Sequence, residues 1–205
     1  MAWYVRHLGA RPGATPERAL LGERLWVIFY KAAYARPSSD SVIDTLGFSF
    51  AKPDLKVREL QAAGARIIAP GLVEDPFGVR IAIQHDPEAD GFQYVHLLVP
   101  DPENVLAWYF DAFGGERARF SGAGSPSGLK YGPVWLLAGV GGGMPSAGYA
   151  IDHIAWRTTG LDAKVAALKA KGVVFSVEPR QFNDVTRISF LEGPAGTRIE
   201  LLERT

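Results

Sequence analysis

The chain has 205 residues, 47% of them hydrophobic and 21% charged, a composition that builds a packed globular protein and rules out general disorder. Its 22 Lys and Arg balance 22 Asp and Glu, so no net field gathers nucleic acid or an anionic membrane. With no cysteine, disulfide scaffolds, thiolate zinc sites, iron–sulfur clusters and thiol nucleophiles are excluded.

The opening MAWYVRHLGARPG carries charge too early for a signal peptide, and no apolar run approaches the roughly 20 residues of a membrane helix, so the sequence predicts a cytoplasmic protein. A helix at Ala2-Trp3-Tyr4 comes first, followed by a strand around Leu25-Trp26 and a second strand, SVIDTLGFSF, from Ser41. PDLKVRELQAAGARI from Pro53 reads as a helix, and EDPFGVRIAI from Glu74 closes that stretch as a strand. Next come a strand, FQYVHLLV, from Phe92, a helix, PENVLAWYFDAF, a Gly-Gly stop, and short strands ending in GPVWLLAGV. The Gly-rich run from Gly139 leads into a strand and not into a helix N-terminus, so it reads as a linker and not as a phosphate cradle. The last stretch has a strand, YAIDHIAW, a helix with Leu161, Val165 and Leu168 near helical spacing, a stop at Gly172, and strands at VVFSV, TRISFL and TRIELLE.

These stretches repeat. Ala2-Trp3-Tyr4 returns as Ala107-Trp108-Tyr109, SVIDTLGFSF as YAIDHIAWRT, PDLKVRELQAAGARI as LDAKVAALKAKGVVF, and EDPFGVRIAI as EGPAGTRIEL, with the order kept. Each half divides again into β-α-β-β-β units. The predicted class is α+β, with four units arranged as two domains, residues 1–90 and 91–205. The first unit begins inside its helix, without a leading strand. The second lacks most of a β-hairpin relative to the fourth.

Tandem β-α-β-β-β units with HIAWR near the start and GPAGTRIELLE at the end resemble the vicinal oxygen chelate superfamily of glyoxalases, bleomycin-resistance proteins and extradiol dioxygenases. The resemblance implies units paired into incomplete barrels, with a metal in the cleft held by first and last strands. Carried onto this chain, it implies His96, His153 and Glu200 as metal ligands, with residues 91–205 containing the cleft. Thr45 and Ala82 stand where His153 and Glu200 would fall in the second unit, and a gapless match of Gly132 to Gly196 places Leu136 opposite Glu200. The N-terminal half should therefore carry no metal.

Two imidazoles and a carboxylate suit one divalent ion, Fe, Mn, Ni, Co or Zn, with open positions. Strand alternation puts Tyr94, His96 and Leu98 on one face, and Ile151, His153, Ala155 and Arg157 on another. The function expected is a glyoxalase-like, metal-dependent enzyme acting on a small molecule that chelates through neighbouring oxygens, with Glu200 as the candidate base. An Fe(II) extradiol-type dioxygenase is the first alternative, although neither a further His nor a Tyr lies between His153 and Glu200. A non-catalytic binder of drugs or metabolites is the second. Arg157, Arg187 and Tyr131 are candidates for orienting a substrate anion, Trp3-Tyr4 and Trp108-Tyr109 read as core, and His7 and His85 have no assigned partner. The missing leading strand leaves an open sheet edge, which a homodimer would close or which reflects a start placed too late.

Overall fold

The computed structural model describes residues 1–121 and 126–204. The first unit consists of α1 (Ala2–Leu8), β1 (Arg11–Pro12), β2 (Arg18–Leu21) and β3 (Leu25–Ile28). α1 stops at Gly9, whose φ of 68° is the left-handed conformation a glycine adopts without a Cβ penalty. The second unit follows as β4 (Ile43–Ser49), α2 (Pro53–Ala62), β5 (Arg66–Ala69), β6 (Leu72–Glu74) and β7 (Arg80–Gln84). The hairpin expected to be mostly missing there is present in shortened form, because β5 and β6 still pair in antiparallel register.

The third unit is β8 (Gly91–Val99), α3 (Pro102–Phe113), β9 (Glu116–Arg119), β10 (Ser127–Tyr131) and β11 (Val134–Val140). Pro102 opens α3, where a missing N–H costs nothing, and Asp101 caps it by accepting from Asn104 N at 3.1 Å. The fourth unit is β12 (Ile154–Arg157), α4 (Leu161–Ala170), β13 (Phe175–Asn183), β14 (Thr186–Glu192) and β15 (Arg198–Arg204).

Hydrogen bonding joins these units in an order the sequence repeat does not announce. β1-β2-β3 is a sheet of three strands, β12-β15-β14-β13 a sheet of four, and β5-β6-β7-β4-β8-β11-β10-β9 a single sheet of eight. The second and third units therefore pair with each other through antiparallel β4 and β8, across the expected boundary at residue 90. This corrects the expectation that the third and fourth units pair into one cleft. Within each unit that has a first strand, that strand runs parallel to the last: β4 with β7, β8 with β11, β12 with β15.

One large core underlies all four units. Tyr4 and Leu8 of α1, Phe48 of β4, Leu97 of β8, Tyr109 of α3, Leu161 of α4 and Ile199 of β15 belong to the same buried cluster. Trp3 and Tyr4 pack as core residues and also anchor α1 to the second unit: Trp3 Nε1 donates to Ala63 O at 2.9 Å and Tyr4 OH donates to Asp75 Oδ2 at 2.7 Å. His7 lies 2.9 Å from Glu59 on α2, a partner the sequence did not suggest. Among the described residues, no helix is long and apolar enough to cross a membrane.

Candidate functional site

Two faces of the molecule correspond to the clefts that paired units would form, and they are equipped differently. On the eight-stranded sheet, Tyr94 and His96 of β8 lie beside Thr45 and Gly47 of β4 and Trp135, Leu137 and Gly139 of β11. Tyr94, Phe120 and Leu137 form a small buried cluster there, with Ala82 and Trp135 packed against it. The rings of Tyr94 and Phe120 meet edge to face at 5.2 Å, and those of Phe120 and Trp135 at 5.5 Å. Burial, reinforced by the nearby Asp44 charge, pushes the Tyr94 phenol up to about 12, so it stays neutral and serves as packing.

His96 is the one imidazole on that face, and its Nδ1 lies 2.6 Å from Asp44 Oδ1. The strand register gives its surroundings. His96 pairs with Leu137 and Leu98 with Gly139, as Ala155 pairs with Glu200 in the fourth unit. Gly139, and not Leu136, therefore stands at the carboxylate position. The gapless alignment misses this position because β8 engages β11 from Tyr94, two residues before His96, whereas β12 engages β15 only from Ile154, one residue after His153. A Cβ on Gly139 would come within 2.8 Å of His96 Nε2, so the imidazole fills the space a carboxylate side chain would need. Thr45, Ala82 and Gly139 offer His96 no companion ligand, and this face does not fit a metal.

The four-stranded sheet carries the other two predicted residues, and the fold brings them together. His153 immediately precedes β12 and Glu200 lies on β15, with His153 Nε2 3.5 Å from Glu200 Oε2. Both are mostly covered, with side-chain exposures of 21% and 13%. The Phe190 ring meets the imidazole edge to face at 5.2 Å. Behind the imidazole, Asp152 Oδ1 lies 2.8 Å from His153 Nδ1.

Asp152 is itself held from two further sides, by Gly148 N–H at 2.7 Å and by the Arg198 guanidinium at 2.7 Å. Burial pushes the Asp152 carboxyl up, but the hydrogen bonds from His153 and Gly148 and the charge of Arg198 outweigh it and bring it down to about 2. An ionised carboxylate only accepts, so the proton on His153 Nδ1 is fixed and Nε2 is the atom turned toward Glu200. Burial opposes charging of His153, yet Asp152 and Glu200 together raise its pKa.

This pair passes part of a test for a metal. Metal–nitrogen and metal–oxygen bonds of about 2.0–2.2 Å around a tetrahedral ion put neighbouring ligand atoms about 3.4 Å apart, close to the observed separation. A carboxylate that orients the second nitrogen of a metal-bound imidazole is the usual support for such a ligand. A third donor is lacking: among the described residues, no three His, Asp or Glu side chains are grouped to hold an ion. His96 is not brought to the pair, since its unit shares a sheet with the second unit and not with the fourth.

The first unit faces this pair. Tyr30, just past β3, has its phenol held above the ordinary value by burial and then by the Glu200 and Glu17 charges. Of the candidates for orienting an anion, Arg157 shares the strand face of His153. Arg187 is instead committed to Asp162 at 2.8 Å and Glu203 at 3.2 Å, and Tyr131 packs 5.7 Å from the Trp156 ring. Sequence reasoning missed Asp152, Asp44 and Tyr30. The repeated pair of dipeptides, Asp44-Thr45 and Asp152-His153, was the available signal for the two aspartates.

Comparison with known proteins adds to this geometry. A family model described as the glyoxalase/bleomycin resistance protein/dioxygenase superfamily matches residues 91–201. Two crystal structures of glyoxalase I mutants from Zea mays superimpose on the chain with TM-scores of 0.72 and 0.70, each at 18% identity. Both alignments cover 98% of this chain, and 86% and 87% of the maize chains. At that identity the likeness is one of fold. A member of the same superfamily from Sphaerobacter thermophilus aligns over 55% of this chain and 95% of its own, at 20% identity and a TM-score of 0.44. No curated protein matches the sequence.

Proposed function

The chain belongs to the glyoxalase/bleomycin resistance protein/dioxygenase superfamily, and from that premise we propose that it is a glyoxalase-like enzyme acting on a small molecule with neighbouring oxygens. In this reading His153 and Glu200 hold one divalent ion, and Asp152 keeps His153 in the tautomer that presents Nε2. The ion would supply Lewis-acid polarisation of the substrate's oxygens. Glu200, largely covered and next to an imidazole with a raised pKa, is the group placed to accept a proton from the substrate and return it. Phe190, paired with Glu200 across the ladder and packed against His153, reduces water at that carboxylate. The observation that carries the reading is the 3.5 Å approach of His153 Nε2 to Glu200, backed by Asp152. The missing third donor favours a second reading, a small-molecule binder without catalysis.

Metal content decides between them. Protein purified without chelator or a histidine tag, and reconstituted with Mn, Ni, Zn or Fe(II), should hold near-stoichiometric metal by plasma mass spectrometry. His153→Ala and Glu200→Gln should each lose it, while His96→Ala keeps it. A wild-type chain that takes up none of these ions overturns the metal reading and leaves the binder. Equal loss in His96→Ala overturns the assignment to the four-stranded face.

A further inference from the structure

Three arginines of the first and fourth units lie on facing sheet surfaces with no acid to meet them. On β2, Ala19 and Leu21 are buried in the core, so alternation turns Arg18 and Leu20 to the opposite face. On β3, Leu25 and Val27 pack against that core, while Trp26 and Ile28, the partners of Leu20 and Arg18, are exposed at 45% and 44%. On β15, Ile199 and Leu201 are buried, and Glu200, Leu202 and Arg204 share the other face. β12 follows the same pattern: Ile154 and Trp156 pack inward, which leaves Arg157 on the face of Glu200 and, through its pairing with Leu202, next to Arg204.

Charges act across the space between these two surfaces. Tyr30 feels Glu200, and the Arg18 guanidinium is held below its ordinary pKa by burial and then by the Arg204 and Arg157 charges. Tyr30 therefore marks the Glu200 end of the cleft, and Arg18 with Trp26 the Arg204 end. The Arg18 guanidinium lies over the Trp26 ring, 4.1 Å from its centroid, and its Nε is buried without a hydrogen-bond partner. The neighbouring carboxylates are turned elsewhere, Glu17 to Thr15, and Glu203, on the other face of β15, to Arg187 and Gly160 N–H. Among the described residues, no hydrogen bond or ion pair engages the side chain of Arg18, Arg157 or Arg204. Like charges gathered in this way repel, and a bound anion relieves both the repulsion and the unmet donor.

We infer that this end of the cleft binds the phosphoryl group of a small organic phosphomonoester. A phosphoryl dianion brings three acceptor oxygens to three guanidiniums, each a planar fork of donors, where a carboxylate brings one charge and two oxygens. Trp26, Ile28 and Leu202 supply apolar surface for the carbon skeleton. Arg204 lies four residues, or about 13 Å of strand, from Glu200. That spacing leaves room for a metabolite-sized skeleton between the phosphate and the His153–Glu200 pair. Taking this ligand as the substrate, phosphorylated at the end remote from its neighbouring oxygens, rests on the function proposed above; the phosphate site itself does not.

The test titrates the intact chain, stripped of metal, with phenyl phosphate by calorimetry, and compares inorganic phosphate and benzoate at the same pH and ionic strength. Phenyl phosphate should saturate one site and bind at least tenfold more tightly than either comparator. Arg157→Gln and Arg204→Gln, both at exposed side chains, should each weaken it at least tenfold, as should Arg18→Gln, while Arg58→Gln on α2 leaves it unchanged. Absence of saturation at millimolar phenyl phosphate overturns the inference, and so does affinity kept in both Arg157→Gln and Arg204→Gln. Equal affinity for benzoate overturns the phosphoryl assignment, and equal affinity for inorganic phosphate overturns the organic ester. Because metal is absent throughout, the outcome is separate from metal uptake. A chain that takes up metal but not phenyl phosphate keeps the proposed function and loses this inference; one that binds phenyl phosphate but no metal keeps the site as that of a binder.

Discussion

Single atoms separate the two faces of this molecule. His96 and His153 occupy equivalent strand positions, and each has an aspartate within 2.8 Å of Nδ1, yet only His153 has a carboxylate at its other nitrogen. Gly139 in place of that carboxylate leaves His96 a packed, hydrogen-bonded side chain. The role given to Asp152 has a direct consequence. Asp152→Asn replaces an ionised acceptor by an amide that no longer raises the basicity of the imidazole, and metal affinity by calorimetry should fall about ten- to a hundredfold while the fold is kept. An unchanged affinity would show that Asp152 does not orient the ligand. His153 and Glu200 were legible in the sequence because the repeat places them at first-strand and last-strand positions of one unit. Gly139 was not, because the register is set by where β8 and β12 begin to pair relative to their histidines, and a gapless alignment of the turn glycines does not contain that offset.

Among the elements, β4 and α1 show how packing decides what local pattern leaves open. Gly47 of β4 lies beneath the Tyr94 ring, where a Cβ would come within 2.0 Å of a ring carbon. Gly47→Ala should therefore displace Tyr94 from its contact with Phe120 and destabilise the chain by about 1–3 kcal/mol in chemical denaturation, and Tyr94→Ala should restore tolerance of the alanine. Equal costs in both backgrounds would show that the ring yields freely. α1 is tied down by a buried polar pair. Asp75 Oδ1 accepts from Phe77 N and Val79 N at 2.8 Å each, while Oδ2 accepts from Tyr4. Burial raises the Asp75 carboxyl more than these hydrogen bonds lower it. A carboxyl with a raised folded pKa contributes stability that is complete below its unfolded value of about 3.9 and is lost as pH rises through the folded value. Measured against the wild type from pH 3 upward, Asp75→Asn should remove that downward component; parallel profiles would place the Asp75 pKa at its unfolded value. Helix ends were readable from the Gly114-Gly115 and Gly172 stops, since capping is local. The Tyr4–Asp75 link joins residues 71 apart and leaves no local trace.

For the whole molecule, the repeat establishes four units but not which of them pair. Similarity between halves is compatible with a third unit joined to the second or to the fourth, and hydrogen bonding selects the second. The boundary at residue 90 thus falls between neighbours in one sheet. Cutting there would expose the edges of β4 and β8 along most of their length, together with Phe48 and Leu97, which are fully buried in the intact chain. It would also divide a core cluster that draws side chains from all four units. Residues 91–205 expressed alone should therefore be insoluble or loosely packed, with near-ultraviolet dichroism lost and dye-accessible apolar surface gained, while the intact chain unfolds in a single transition by calorimetry. A soluble 91–205 fragment with the near-ultraviolet signature of its part of the whole would show that the third and fourth units fold as an independent pair. The continuous β4–β8 ladder would then be a contact between finished domains and not the element that holds the molecule together.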